Sequence, residues 1–288
     1  MMTHIDLWLF RLVNAWSGNW VLDRLVGYEE GNNLFKGGLL LIAYWWFWFA
    51  GPADRRDGRR RTILAVLCGA LLALVLNRVL SAALPFRVRP MFVSGIGYRP
   101  PAIALPMNLE DWSSFPSDTA TYFFALAYGL FRLSRPLGAA LLAYVIVWVE
   151  LPRLYLGIHY PSDVIVGGAI GIVGVGSVLA AADARGGVLG RRLAAPLLAA
   201  ESRLPGLFYA AAFALSYEMA MIFDDLRNVV RGAVRALRFA GYLTLGEGAA
   251  LFLVGGGALA VLVVGWMVVT VGRCVRRHRR SPTAGLNF

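Results

Sequence analysis

The sequence predicts an all-α polytopic membrane protein, a bundle of helices that crosses a lipid bilayer. Of its 288 residues, 58% are hydrophobic and 16% are charged, and the mean hydropathy is +0.62. This composition is too apolar for an ordinary soluble domain. The apolar residues also gather in segments close to the ~20 residues that a membrane-spanning helix needs. The two cysteines form neither a disulfide framework nor a zinc-ligand spacing.

The apolar segments predict seven spans, five of them in the first two thirds of the chain. Their approximate bounds are 34–50, 62–84, 117–133, 137–155, 163–182, 206–223 and 247–272. Residues 5–25 differ, because arginine, asparagine and aspartate interrupt the apolar residues there. We predict an amphipathic helix lying in the membrane interface, with a shorter true span as the alternative. The chain start lacks the basic and apolar regions of a cleavable signal peptide.

This pattern divides the chain into five parts. They are an amphipathic interfacial N-terminal helix (1–30), a membrane core (31–183), a cytoplasmic linker (184–205), two extra transmembrane helices joined by an arginine-rich amphipathic connection (206–272) and a basic cytoplasmic tail (273–288). We find no internal repeat.

The positive charge predicts the orientation of the chain. The net charge is +11, nearly all of it from arginine, with Lys36 as the only lysine. The arginines are scattered over short loops, which indicates orienting loop charge rather than nucleic-acid binding. The basic loop 51–62 should be cytoplasmic, and 183–205 and the tail agree. Residues 224–240 do not fit this orientation, because they should lie on the outer face and yet contain four arginines. The spacing of these arginines predicts that they share one helix face, which indicates an interfacial helix, or a substrate or partner contact.

Three polar stretches converge on the outer face in this topology. They are residues 83–90, 111–120 and 152–163, which adjoin the ends of three different spans. No single loop could enclose a substrate group, whereas three loops at one membrane face can. The sequence therefore predicts a site there.

A histidine and an aspartate within the third stretch indicate nucleophilic catalysis. His159 and Asp163 are four residues apart, and hence on one face if the backbone is helical. A carboxylate bonded to one ring nitrogen fixes the tautomer and leaves the other nitrogen free to attack.

The neighbouring residues are suited to a phosphoryl group. Arg153, Arg87 and Arg89 offer forked donors for phosphoryl oxygens. Ser117 follows a proline at the expected start of a helix, where free N–H groups and the helix dipole favour an anion. No acidic cluster suggests a metal and nothing requires a cofactor, so arginines would stabilise the charge.

The third stretch resembles a motif of the type 2 phosphatidic acid phosphatase superfamily, a family of integral membrane lipid phosphatases. The family pattern Ser-Arg-x5-His-x3-Asp is matched by Arg153, His159 and Asp163, with Pro152 in place of serine. The resemblance covers roughly residues 5–183. It implies a helical bundle in which His159 attacks phosphorus, Asp163 orients it and Arg153 assists.

The other two family motifs are matched only in part. In Lys-x6-Arg-Pro, Arg89 is present, but Ala82 stands at the lysine position, and Arg78 or Arg87 could substitute. In Pro-Ser-Gly-His, Ser117 is present, with Asp118 for glycine and Thr119 for histidine. The resemblance implies that these positions bind the substrate phosphate: Arg89, Arg87, Arg78, Ser117, Asp118 and Thr119.

Thr119 raises the question of how the leaving group departs, because the family histidine there protonates the leaving oxygen. One reading is that the substrate is a diphosphate, whose leaving phosphate needs less help than an alcohol. Another acid could serve instead, with Asp118, Glu110, Asp111 and Tyr155 as candidates. A third reading is an inactive relative that only binds lipid phosphate.

These observations predict a metal-independent lipid phosphatase in a bacterial-type inner membrane, acting on a polyprenyl diphosphate such as undecaprenyl diphosphate at the outer face. One alternative is a phosphatidic acid or phosphatidylglycerophosphate phosphatase, or a lipid phosphotransferase. Another is a non-catalytic subunit that binds lipid phosphate. The extra C-terminal spans could then contact a membrane protein partner.

Overall fold

The computed structural model describes residues 4–103 and 109–223, and every regular element in these ranges is helical. The helices are α1 (His4–Asn14), α2 (Trp20–Gly31), α3 (Leu39–Phe49), α4 (Ala53–Ala83), α5 (Asp118–Leu133), α6 (Arg135–Tyr144), α7 (Leu151–Tyr155), α8 (Pro161–Arg203) and α9 (Pro205–Ala220). Two π-helical turns, Leu34–Gly38 and Val145–Glu150, precede α3 and α7, and a short 3₁₀ turn covers Pro90–Phe92. The arginine-rich connection, the last predicted span and the tail lie outside the described residues.

The long apolar helices confirm the prediction of an all-α polytopic membrane protein. Among the described residues, three helical stretches are long and apolar enough to cross a membrane: Ala53–Ala83, Arg135–Tyr155 and Pro161–Asp183. The π-helical turn joins α6 to α7, so the second of these stretches is continuous. A shorter apolar helix, Leu34–Phe49, lies where the first span was predicted.

Small residues let the central helices α4, α5 and α8 approach closely. A Cβ atom on Gly171 would lie 2.1 Å from the carbonyl oxygen of Thr121, and one on Gly167 would lie 2.3 Å from that of Ser117. Such small residues are what membrane helices need for close backbone contact. The N-terminal three turns of α8 are therefore held directly against the start of α5.

A buried asparagine connects the same three helices by hydrogen bonds. The Asn77 side-chain amide on α4 donates to Thr121 Oγ1 at 2.8 Å and to the Ser117 carbonyl at 3.3 Å. Thr121 Oγ1 in turn donates to the Gly167 carbonyl at 2.9 Å. These bonds satisfy polar groups that the bilayer interior could not, and they set the relative heights of the helices.

The N-terminal region forms two helices where one was predicted. The chain turns between α1 and α2, where Gly18 has φ +91° and Asn19 caps α2 by accepting from two backbone N–H groups. Asp6 and Asn14 of α1 are buried, whereas Ile5 and Trp8 are exposed. Asp6, Phe10 and Asn14 thus form the side of α1 that faces the rest of the protein, while Ile5 and Trp8 face outward.

The predicted linker 184–205 is helical in the structure. Helix α8 continues to Arg203 with Pro196 in its interior, and α9 begins at Pro205. Alanine and leucine dominate residues 193–200, and both favour helix. An arginine-rich composition does not by itself end a helix, and the role of this segment as a cytoplasmic linker stays a prediction.

Candidate active site

The three predicted stretches meet at one end of the bundle, where α4 ends and α5 and α8 begin. Backbone hydrogen bonds join them: Ser114 N–H donates to the Arg87 carbonyl at 2.8 Å, and Ser117 N–H donates to the Asp163 carbonyl at 3.1 Å. The first stretch is thereby held to the second, and the second to the third. Their side chains surround a common centre.

His159 lies at that centre, in the turn between α7 and α8. Gly157 has φ +71°, which lets the chain reverse after α7 and brings His159 into the interior. The ring Nδ1 is 2.9 Å from the Ser114 carbonyl oxygen and 3.6 Å from Asp163 Oδ2. A carbonyl can only accept, so Nδ1 of the neutral ring carries the proton. The lone pair is therefore on Nε2.

The protonation state of His159 also suits a nucleophile. Burial lowers its pKa below the ordinary value of 6.5, because a desolvated imidazolium is disfavoured. Asp163 raises the pKa, while the charges of Arg89 and Arg153 lower it further, and the net direction is downward. The ring is therefore neutral at neutral pH.

Asp163 is fully buried and held from two sides in the first turn of α8. Its Oδ2 accepts from the Tyr160 backbone N–H at 2.8 Å, and its Oδ1 accepts from Arg87 Nη1. A carboxylate at this position also interacts favourably with the N-terminal end of the helix dipole. The carboxylate can therefore keep one position beside His159.

Arg87 lies between two carboxylates. Its Nη1 contacts Asp163, and its Nη2 donates to Asp6 Oδ2 at 2.8 Å. The sequence suggested Arg87 as a ligand of the substrate phosphate. In the structure both terminal nitrogens contact carboxylates, because α1 brings a second acid to the site, and the role of Arg87 toward a substrate phosphate stays a prediction.

Asp6 is a residue of this site that the sequence analysis missed. It accepts from the Ser162 N–H at 2.9 Å and hydroxyl at 2.8 Å, as well as from Arg87. Burial raises its pKa, but these hydrogen bonds and the Arg87 charge outweigh that effect and lower it below the ordinary value. The available signal was one acidic residue in the apolar run IDLWLF, since such an acid in a membrane protein usually has a partner.

Arg89 is buried and holds the site together through backbone carbonyls. Its Nε donates to Trp112 at 3.1 Å, Nη1 to Ile158 at 3.0 Å and Nη2 to Ser113 at 3.3 Å. A guanidinium has five N–H groups, so one on each terminal nitrogen remains. Nη1 is 3.5 Å from His159 Nε2. Burial lowers the Arg89 pKa to about 10, which leaves it positively charged at neutral pH.

Arg153 approaches the site from the end of α7. Its carbonyl accepts from the His159 N–H at 3.4 Å, so the two residues share one turn. Its Nη1 lies 3.3 and 3.4 Å from the two carboxylate oxygens of Glu30, which also pairs with Lys36 at 3.0 Å. Within the described ranges its buried Nε has no hydrogen-bond partner. Arg153 therefore retains donor capacity for a substrate oxygen.

The second stretch supplies the first turn of α5. Ser117 Oγ accepts from the Ala120 N–H at 3.2 Å and caps the helix, and Asp118 Oδ1 accepts from the Thr119 N–H at 2.9 Å. Asp118 also forms an ion pair with Arg78. The structure thus places Ser117, Asp118 and Thr119 at the start of α5, with Ser117 and Thr119 buried and Arg78 paired with Asp118.

Comparison with known proteins agrees with this geometry. Residues 62–186 match the PAP2 superfamily. The decaprenylphosphoryl-5-phosphoribose phosphatase of Mycobacterium tuberculosis (strain CDC 1551 / Oshkosh) is 37% identical over 125 residues, which cover 37% of this chain and 68% of that protein. The chain belongs to the PAP2 superfamily. The match includes the ends of α4, α5, α7 and α8 that form the site.

Two further PAP2-related proteins come from Escherichia coli (strain K12). YbjG, which carries a provisional name as an undecaprenyl-diphosphatase, is 28% identical over 195 residues, covering 67% of this chain and 90% of YbjG. The lipid A 1-diphosphate synthase is 26% identical over 140 residues, covering 48% of this chain and 56% of the synthase. No solved structure gives a significant match.

The structure separates the acids that could replace the missing PAP2 histidine. Glu110 and Asp111 are exposed in the loop before α5. The Tyr155 hydroxyl is bonded to Asp23 and turns toward α2. Of the four candidates from the sequence, Asp118 is the one in the first turn of α5 beside Thr119.

The positive charge around His159 comes from Arg89 and Arg153. Within residues 4–103 and 109–223, no three histidine, cysteine, aspartate or glutamate side chains gather as a metal site. The charge arrangement of this PAP2 site can therefore neutralise phosphoryl oxygens with guanidinium groups.

An apolar cavity of about 520 Å³ lies between α3, α4, α8 and α9. Trp48, Ile63 and Ala200 are among its lining residues, and none of the site residues described above belongs to it. It is therefore separate from the chemistry at His159.

Proposed function

We propose that this chain is a metal-independent phosphatase that hydrolyses a polyprenyl diphosphate, such as undecaprenyl diphosphate, through a phosphohistidine at His159. The observation that carries the proposal is the environment of that ring: Nδ1 is bonded to the Ser114 carbonyl, and Nε2 faces Arg89. The names of the relatives YbjG and the decaprenylphosphoryl-5-phosphoribose phosphatase support a polyprenyl lipid.

In the first step, the Nε2 lone pair of His159 attacks the terminal phosphorus, and the bond between phosphorus and the bridging oxygen breaks. The polyprenyl monophosphate leaves with the bond electrons. Arg89 and Arg153 stabilise charge on the transferring oxygens. The ring keeps its Nδ1 proton and becomes cationic, and the carboxylate of Asp163 at 3.6 Å stabilises that cation.

In the second step, a water molecule attacks phosphorus from the side opposite Nε2. The phosphorus–nitrogen bond breaks, the electrons return to Nε2, and inorganic phosphate leaves with the water oxygen. The proton lost by the water stays on the departing phosphate. His159 thereby returns to its neutral form with the proton still on Nδ1.

The residue at position 119 supports a diphosphate as the substrate. A phosphate leaving group has a conjugate acid with a pKa of roughly 6, whereas an alkoxide has one close to that of water at ~15.7. Help from a general acid, typically ~10²–10⁴-fold, therefore matters less for a diphosphate. Thr119 cannot supply that help near neutral pH.

We further propose that the site lies at the outer, periplasmic side of a bacterial inner membrane. The basic segment 51–62, whose residues 53–62 form the first turns of α4, is at the end of that helix opposite the site and should stay in the cytoplasm. The exposed Trp8 and Trp16 support an interfacial position for α1 at the site end. The lipid tail would enter sideways between helices, and residues 206–272 would add spans able to contact a partner.

The proposal is tested by phosphate release from purified full-length protein in detergent with a chelator. Undecaprenyl diphosphate and phosphatidic acid are compared, beside His159→Ala and the matched control His4→Ala, since His4 is exposed on α1. We expect chelator-resistant release, faster from the diphosphate, that only His159→Ala abolishes. Release that survives His159→Ala, or that the chelator removes, would contradict the mechanism.

A second candidate is phosphoryl transfer to a lipid acceptor instead of water. The similarity to the lipid A 1-diphosphate synthase favours it, because that name describes formation of a diphosphate. The same phosphohistidine would serve both reactions. Adding a lipid or sugar acceptor separates them, because a transferase forms phosphorylated acceptor at the expense of free phosphate.

A further inference from the structure

A continuous line of polar contacts joins the N-terminal helix to the histidine. Asp6 Oδ2 accepts from Arg87 Nη2 at 2.8 Å, although 81 positions separate the two residues. Arg87 Nη1 then donates to Asp163 Oδ1. The second oxygen of Asp163 is 3.6 Å from His159 Nδ1. Helix α1 therefore reaches the reacting ring through two intermediate residues.

A second branch of this line passes through Ser162. The Ser162 N–H donates to Asp6 Oδ1 at 2.9 Å, and its hydroxyl donates to Asp6 Oδ2 at 2.8 Å. Arg87 Nη1 is also 2.8 Å from Ser162 Oγ. Ser162 directly precedes Asp163 in the chain. Asp6 therefore binds both Arg87, the cation that contacts Asp163, and the backbone next to Asp163.

The charges of the three side chains explain why the second carboxylate matters. The side chains of Asp6 and Asp163 are 4% and 0% exposed and that of Arg87 is 13% exposed, so their mutual interactions are weakly screened. One cation between two anions leaves a net charge of −1. If Asp6 were neutral, Arg87 and Asp163 would form an ion pair of net charge zero. The negative charge that stabilises a cationic His159 ring would then be neutralised.

We propose that Asp6 is a positioning residue for His159. Because Asp6 is present, Arg87 binds two carboxylates rather than Asp163 alone. Asp163 therefore stays in place, and its negative charge remains available to the ring. The catalytic role of His159 in this inference rests on the proposed function. The placement of the ring does not, and it can be measured separately.

Asp23 on α2 provides a matched control. It is as deeply buried as Asp6 and also fastens the N-terminal region, by accepting from the Tyr155 hydroxyl and from the Ala102 N–H at 2.8 Å. Its bonds lead to α7 and to the loop after α4, not to Arg87 or Asp163. A purely structural role would make the two aspartates equivalent.

The kinetic experiment compares Asp6→Asn, Asp6→Glu and Asp23→Asn in the full-length protein, with undecaprenyl diphosphate as the probe. We expect Asp6→Asn to lower kcat on the order of 10-fold, by analogy with the loss of a hydrogen-bond partner that orients a metal-bound histidine. KM should not change, because Asp6 does not reach the substrate. Asp6→Glu should restore part of kcat, and Asp23→Asn should keep it. Equal losses in both Asn variants would overturn the proposal.

The second readout does not depend on activity. The chain has three histidines, so ¹⁵N-histidine labelling gives few signals, and His159→Gln assigns the relevant pair. We expect Asp6→Asn to shift the Nδ1 resonance of His159 and Asp23→Asn to leave it unchanged. An unchanged resonance in both would overturn the proposal, and Arg87→Lys offers the same test if Asp6→Asn does not fold. A shifted resonance in a protein that hydrolyses no lipid would refute the proposed function while supporting the positioning role.

Discussion

The Nδ1 atom of His159 lies closer to the carbonyl oxygen of Ser114, at 2.9 Å, than to the carboxylate of Asp163, at 3.6 Å. The Ser114 carbonyl and the Asp163 carboxylate therefore both contribute to the orientation of the ring. The carbonyl fixes the tautomer, and the carboxylate supplies negative charge. This division leads to the first prediction.

We predict that Asp163→Asn lowers kcat by about 10²-fold rather than abolishing activity. In a serine-protease triad, the corresponding neutral substitution costs about 10⁴-fold because the tautomer is lost. Here the Ser114 carbonyl still holds Nδ1–H, so the loss is confined to charge and packing. Steady-state kinetics beside His159→Ala measures this. Equal inactivity of the two variants would show that Asp163 also sets the tautomer.

The lowered pKa of His159 predicts the acid limb of the pH profile. In the proposed mechanism the neutral ring is the nucleophile, so kcat/KM should be full above this pKa and fall as pH drops through it. Since burial and the charges of Arg89 and Arg153 outweigh Asp163, the limb should lie below pH 6.5. Arg153→Gln should move it to higher pH, because one lowering charge is removed. A wild-type limb above pH 6.5 would contradict this electrostatic balance.

Thr119→His should raise turnover of phosphate monoesters more than that of diphosphates. Thr119 is buried in the first turn of α5 beside Asp118, where an imidazole could protonate a leaving alkoxide. General acid catalysis contributes up to ~10⁴-fold, and the poorer leaving group benefits more. Phosphate release from phosphatidic acid and undecaprenyl diphosphate measures the two gains. Thr119→Gln serves as a non-acidic control, and equal gains on both lipids would refute the leaving-group argument.

Gly171→Ala should destabilise the protein by about 1–3 kcal/mol, a typical cost of overpacking. The new Cβ would lie 2.1 Å from the Thr121 carbonyl and push α8 away from α5. Gly176→Ala is the control on the same helix, because its Cβ would meet only the Tyr128 ring at 3.8 Å. Thermal unfolding in detergent should show a lower Tm for the first variant only. Similar Tm values would mean that the helices can separate without cost.

The local pattern of the sequence was enough to predict the class of protein and to select the three stretches that form the candidate site. Lengths of apolar segments report membrane helices, because each helix must satisfy its backbone hydrogen bonds internally. The four-residue interval between His159 and Asp163 marked the pair, although the expected shared helix face is not what joins them: Tyr160 is extended, and His159 lies in the turn before α8, whereas Asp163 lies in its first turn. These properties depend on neighbours in the chain, so the sequence displays them directly.

The orientation of the N-terminal helix could not be predicted from this local pattern. Its polar residues indicated an amphipathic helix, but not that Asp6 would face inward to Arg87 while Ile5 and Trp8 face outward. Both orientations are compatible with the same pattern. The choice depends on the cation that α1 meets in the folded protein.

The sequence by itself determined a helical membrane bundle with His159, Asp163 and basic residues at one end. Only the tertiary structure decided that the Ser114 carbonyl binds the His159 ring and that Arg87 binds both Asp6 and Asp163. The physical reason is that every residue type carries a backbone carbonyl, so no sequence pattern marks the one that accepts. Contacts between residues 81 positions apart likewise arise only when the helices pack.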